Sequence, residues 1–352
     1  MNDFAPIDTQ RRRLCIAAGV ATALPALTLQ HQAQAADTVR IRLGTLAPKG
    51  SSYHRALQEM GERWRKAQGG GATFTIFADG TQGGEADVVR RMRVGQLNAG
   101  LLSVIGLLEI DRSVMALQYM PMVYRNWDEV DYVRDRLAPM LEARLLEKGF
   151  VVVFWGDGGW VRFFSNGPAL HPADFRRMKM FVWSGDTQQV EIMKSMKYQP
   201  VSIEVADILP GLQTGLIDAV PAAPFFALAG QFNGPAPYLL DIKWVPIVGA
   251  CVVTRKAWDA MSETAREELK RAAAQAGAEI RRRGRAEDLE SIEAMKRRGL
   301  KVATMTPAIE AEWRRTAEEV YPRIRGTAVP AAIFDEALRL VAEFRASGLA
   351  RQ

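Results

Sequence analysis

Apolar residues alternate at Val39, Ile41 and Leu43, which predicts a strand over Thr38–Ala47. The spacing then changes. Ala56, Leu57, Met60 and Trp64 recur at helical intervals behind Ser51 or Ser52, either of which can cap a helix. A glycine turn leads to a strand over Thr73–Ala78, a helix from about Glu85 and a strand over Asn98–Val104. A helical stretch near Trp127–Leu146 and a strand over Phe150–Trp155 complete this set. Strand and helix alternating in short units predict right-handed crossovers and a mostly parallel sheet. A second set follows, with strands over Val161–Ser165, Met178–Trp183, Pro200–Ile203 and Ile217–Val220, and helices near Thr187–Lys197 and Val205–Gln213. Ile247–Thr254 is the last strand of this kind.

Behind Ser262, Ala265, Leu269, Ala272, Ala276 and Ile280 keep helical spacing, continued by Leu289, Ile292 and Met295. A helix over Glu263–Arg298 would be roughly 54 Å long, longer than one small lobe is wide. It would strap two lobes together, although Gly277 and Gly284 weaken it locally. Gly299–Thr304 reads as a strand, and helices follow near Pro307–Ile324 and Ala332–Arg345. The expected fold is α/β with two lobes. Residues 36–159 with about 247–290 form the first, and residues 160–246 with about 291–352 the second. Such lobes suit a hinged, cleft-bearing protein.

Arg11, Arg12 and Arg13 precede an apolar run from Leu14 to Leu29, and Ala33-Gln34-Ala35 follows. This is the pattern of a secretory signal cleaved near Ala35, which sends the rest to the periplasm. The run contains Pro25 and is shorter than a membrane span. The arginines suit twin-arginine or Sec export. Cleavage lowers the net charge of +6 by one and removes Cys15 and His31. Export and the mixing of bases with acids, as at Arg281–Arg285 before Glu287 and Asp288, argue against a nucleic-acid partner.

Chemistry-bearing motifs are absent. There is no G-x-G-x-x-G, P-loop, H-E-x-x-H or G-x-S-x-G. His54 and His171 are isolated, and Cys251 lies in an apolar strand, so neither a metal site nor a nucleophile is expected. An enzyme is disfavoured, and no cofactor is implied.

Five segments carry a resemblance: Phe77-Ala78-Asp79-Gly80-Thr81-Gln82-Gly83-Gly84-Glu85, Val94-Gly95-Gln96-Leu97-Asn98-Ala99-Gly100, Arg162-Phe163-Phe164-Ser165-Asn166, Asp174-Phe175-Arg176-Arg177-Met178-Lys179-Met180, and Asp207-Ile208-Leu209-Pro210-Gly211-Leu212-Gln213-Thr214-Gly215-Leu216-Ile217-Asp218. In this order, behind an export signal, the chain resembles the solute-binding subunits of tripartite ATP-independent periplasmic (TRAP) transporters of the dicarboxylate (DctP-like) type. The resemblance implies two lobes closing on a small organic acid, which is then delivered to TRAP membrane permease subunits. A ligand-sensing periplasmic module or an ABC-type binding protein is the alternative.

The chain departs from that family's pattern. The position of a ligand-pairing arginine is Phe181, and a family Asn and Glu fall on Ala222 and Pro221. Arg162 matches the family's other ligand-contacting arginine and Glu85 its first-lobe acid. These replacements imply a more apolar pocket, suited to a monocarboxylate with an apolar or aromatic body. Arg162 would fix the carboxylate, and Phe181 and Trp183 would pack the body, with Phe225, Phe226 and Trp160 opposite. Trp155 and Trp244 are further candidate walls, and Arg162 held permanently by an acid is the competing reading.

Overall fold

The computed structural model describes residues 39–69 and 71–348; the expected signal segment, 1–35, lies outside them. The strands are β1 (Val39–Thr45), β2 (Ala72–Phe77), β3 (Ala99–Ser103), β4 (Phe150–Trp160), β5 (Arg162–Ser165), β6 (Lys179–Trp183), β7 (Gln199–Ile203), β8 (Ala219–Ala222), β9 (Tyr238–Leu240), β10 (Pro246–Thr254) and β11 (Lys301–Ala303). They form one sheet of order β2-β1-β3-β10-β4 and another of order β11-β9-β5-β8-β6-β7.

Each sheet is parallel except for one strand, and the exception has a cause. β4 runs with the parallel set of the first sheet, and its near-continuation β5 enters the second sheet antiparallel to β8 and β9. The return from β9 into β10 does the reverse, since β10 is antiparallel to both β3 and β4. A chain that crosses between sheets in nearly extended form arrives pointing the wrong way for its new neighbours. Alternation along the strands then sorts the cores. Ile41, Leu43, Cys251 and Val253 face Leu57, Met60 and Trp64 of the helix Ser52–Ala67. Leu102, Val248, Ala250 and Val252 face the opposite core, with Leu137 and Leu141. The second sheet likewise carries Phe163, Ala219 and Leu240 on one face and Phe164, Val220 and Leu239 on the other.

The helix Glu263–Lys296 is continuous. It packs on the helix Ser52–Ala67 and on β4 of the first lobe, and on the helix Pro224–Ala229 of the second. Its glycines are contact points. A Cβ on Gly277 would stand 2.9 Å from the Cβ of Phe154, and one on Gly284 would stand 2.3 Å from the Tyr53 hydroxyl oxygen. The end of the chain departs from the expected grouping of 291–352 with the second lobe. Trp313 joins that lobe's core, but the helix Ala331–Ala346 returns to the first lobe. Its stripe of Phe334, Ala337, Leu340 and Val341 matches Val130, Val133 and Leu137 on the helix Trp127–Glu147. Arg345 pairs with the buried Glu129 at 2.8 Å to fix that docking. Among the described residues no helix is long and apolar enough to cross a membrane.

Candidate functional site

The parallel strands of both sheets end at one cleft, a cavity of about 510 Å³. Open α/β sheets place ligand crevices at such carboxyl ends, and the volume suits a small organic molecule. The first-lobe wall is built from Thr45–Pro48 after β1, Leu101–Ser103 of β3, Glu85 and the Gly156-Asp157-Gly158 stretch of β4. The second-lobe wall is built from Trp183–Gln188 after β6, Glu204 and Val205 after β7, Pro221–Ala223 at the end of β8, and Phe225 and Phe226.

Aromatic rings dominate the second-lobe wall and reach the first. The Phe225 ring stacks on Tyr53 at 5.0 Å and 22°. Trp183 lies 6.0 Å from Phe226 and meets Phe181 edge-on at 5.2 Å. A second, mostly apolar cavity of about 140 Å³ shares Trp183, Val161, Ile105, Gln118 and Pro221 with the cleft. Met193, Trp244 and Trp313 are among its other walls.

Five of the expected site residues, Glu85, Trp183, Ala222, Phe225 and Phe226, line the cleft together. Arg162, Phe181 and Trp160 do not, and each is a correction. Arg162 is only 3% exposed; Nε donates to Asp241 and Nη1 to Asp288, both at 2.6 Å. Burial alone would lower its pKa, but the two carboxylates outweigh burial and raise it, so its charge is matched inside the chain. Phe181 shares the Trp183 face of β6, as alternation requires, but it sits two residues back from the strand end. It is therefore core, with Ile208, Leu212 and Leu239. Trp160 lies at the crossing between the sheets, with its ring 5.1 Å from Trp127 in the first-lobe core. Trp155 is also in that core, and Trp244 faces the smaller cavity.

Glu85 opens the helix Glu85–Arg93 and accepts from Ser103 N (2.8 Å), Ser103 Oγ (2.6 Å) and Gly106 N (2.7 Å). Burial raises its pKa against the pull of those donors. Asp186 caps the helix Thr187–Ser195 by accepting from Gln189 N at 2.9 Å, and it also accepts from the Tyr119 hydroxyl. Burial raises its pKa too. Among the described residues no lysine, arginine or histidine lines the cavity. Among the described residues no cluster of His, Cys, Asp and Glu is placed to hold a metal. Cys251 is buried with its thiol pushed up by desolvation, which makes it inert. Sequence reasoning missed Tyr53, Asp186 and Glu204. Asp186 and Glu204 each follow a strand end, a signal available in the pattern. Tyr53 needed the packing of helix 52–67 across the cleft floor.

Comparison with known proteins agrees with this architecture. The family described as bacterial extracellular solute-binding protein, family 7 (DctP) matches residues 43–326. A solute-binding protein of Roseobacter denitrificans is 23% identical over 262 residues, 73% of this chain and 79% of that protein. A TRAP periplasmic solute-binding protein from Pseudomonas putida F1, solved with D-glucuronate, is 22% identical with a TM-score of 0.78. The alignment covers 89% of this chain and 100% of that one. One from Ralstonia eutropha H16, solved with (S)-2-acetolactate, reaches a TM-score of 0.80 at 18% identity. It covers 87% of this chain and 99% of that one.

Proposed function

Since the chain belongs to family 7 of the bacterial extracellular solute-binding proteins, a family of receptors rather than enzymes, we propose that it captures a small organic solute with an apolar or aromatic body outside the cytoplasm and delivers it to TRAP permease subunits. The observation that carries this reading is the ring-lined cleft. Tyr53 from one lobe and Trp183, Phe225 and Phe226 from the other share one cavity. A flat or bulky apolar body buried there is desolvated by both lobes at once, which favours the closed form. The relatives solved with organic acids support a solute of this size class.

The part of the organic-acid expectation that needed Arg162 has no support here, because that side chain is committed to Asp241 and Asp288. The packing role expected of Phe181 passes to Tyr53, Trp183, Phe225 and Phe226. Native mass spectrometry of the protein purified from its exporting cell, followed by calorimetric titration of the solute it carries, tests the reading. One solute per chain and a raised melting temperature are expected. Failure of any small solute to bind would sink it.

A further inference from the structure

The smaller cavity beside the cleft has walls of its own. Gln189, Ile192, Met193 and Met196 line it from the helix Thr187–Ser195 and its C-cap, at the spacing of one helix face. Such a stripe ordinarily packs into a core. This helix has no fully buried residue, and its apolar face overlies the cavity instead. Across from it stand Phe163, Trp244 and Trp313, whose rings pack on one another at 5.3–5.7 Å. Among the described residues no charged side chain lines this cavity. Its volume is about 140 Å³, and an apolar cavity of roughly 150 Å³ holds a benzene ring. Flexible methionines facing a rigid aromatic floor can fit apolar groups of differing outline.

One buried polar group stands where the two cavities meet. Gln118 lines both and is only 7% exposed. Val248 N donates to its Oε1 at 3.3 Å, which fixes the amide and assigns Nε2 to the other side. Nε2 donates to no acceptor among the described residues, so a buried donor is left over at the junction. Trp183 also lines both cavities and is half-buried, and rotation of its ring would open one into the other.

We propose that the smaller cavity is a second subsite, for an organic acid whose acceptor oxygen is held by Gln118 Nε2 and whose apolar end, about one ring in size, passes Trp183 to lie under the helix Thr187–Ser195. The inference rests on the receptor reading above and names the shape of its solute. Calorimetry with propanoate and 3-phenylpropanoate tests it. The longer acid is expected to bind about ten- to a hundredfold more tightly, at one site per chain. Met193→Trp, which fills the smaller cavity from a helix without buried residues, should remove most of that gain and leave propanoate within about twofold. Gln118→Met should weaken both acids by the same factor, about three- to tenfold, and keep the ratio between them. A merely structural Gln118 would lower the melting temperature and leave affinity per folded molecule unchanged, which would overturn its part. Equal binding of the two acids, or a gain that survives Met193→Trp, would overturn the subsite and leave the receptor reading standing. If neither acid binds, the solute carried from the cell takes their place, and wild-type affinity for it in Met193→Trp would overturn the subsite in the same way. No binding by either acid, together with no carried solute, would overturn both readings.

Discussion

The crossing beneath the cleft and the cleft itself use the same residue types in opposite ways. At the crossing, Arg162 joins Asp241 to Asp288, while Arg285 forks onto Asp131 and Asp157. Arg134 lies between Asp131 at 2.8 Å and Asp135 at 2.9 Å. These acids come from the helix Trp127–Glu147, from β4, from the return between β9 and β10, and from the long helix. The pairs thus tie together the segments that pass between lobes. In the cleft above, Glu85, Asp186, Glu109 and Glu204 form no ion pair among the described residues. A charge matched within the chain contributes to one unique arrangement of the backbone, and its loss is felt as unfolding. A charge left unmatched in a cavity is available to a ligand, and its loss is felt as affinity.

The largest expected effect lies at the crossing. Arg162→Met strands the buried Asp288, and removal of one partner of a buried pair costs about 3–5 kcal/mol. Urea unfolding should show that loss, while solute affinity per folded molecule changes less than about twofold. A large loss of affinity with stability unchanged would return Arg162 to the ligand. Phe181 and Trp183 repeat the contrast within one strand. Phe181→Ala should cost about 3–5 kcal/mol of stability, as for other buried phenylalanines. Trp183→Ala, at the strand end, should leave stability within about 1 kcal/mol and weaken solute binding by about 1–2 kcal/mol, read by calorimetry. Were the two variants to exchange these signatures, the assignment of wall and support would be reversed.

That pair also shows how far the sequence could be read. Alternation placed Phe181 and Trp183 on one face of β6, and their rings do touch. Periodicity does not say how far each residue lies from the strand end, and that distance separates core from cleft. Every strand but the three-residue β9, together with the long helix and its Ser262 cap, was legible because each depends on local spacing and one capping side chain. The fate of Arg162 was not, because Asp241 and Asp288 are distant in sequence and arrive only through the second crossing and the long helix. The helix Ala331–Ala346 was recognisable as a helix, but nothing local says which lobe its apolar stripe will meet. The aromatic richness of the cleft was readable from residues near predicted strand ends, not from a composition only 8% aromatic. Its lack of bases was not, since the chain as a whole carries +6.

The smallest effect distinguishes the two regions by their response to acid. Burial raises the pKa of Glu85 and Asp186 in the folded protein. Between the ordinary carboxylate value and that raised value the native state binds more protons than the unfolded one. Stability from these groups therefore rises as pH falls through the window and is lost as pH climbs above it. Asp131 at the crossing runs the other way. Burial would raise its pKa, but Arg285 and Arg134 hold it low, so its contribution is lost on acidification. The two slopes oppose one another in the whole protein, and a single substitution separates them. In Asp186→Asn the side chain still caps Gln189 N through its carbonyl oxygen, and its amide can donate to the Tyr119 oxygen. The fold is kept and one titrating group is removed. The difference in unfolding free energy between wild type and this variant should then drift in favour of wild type as pH is lowered.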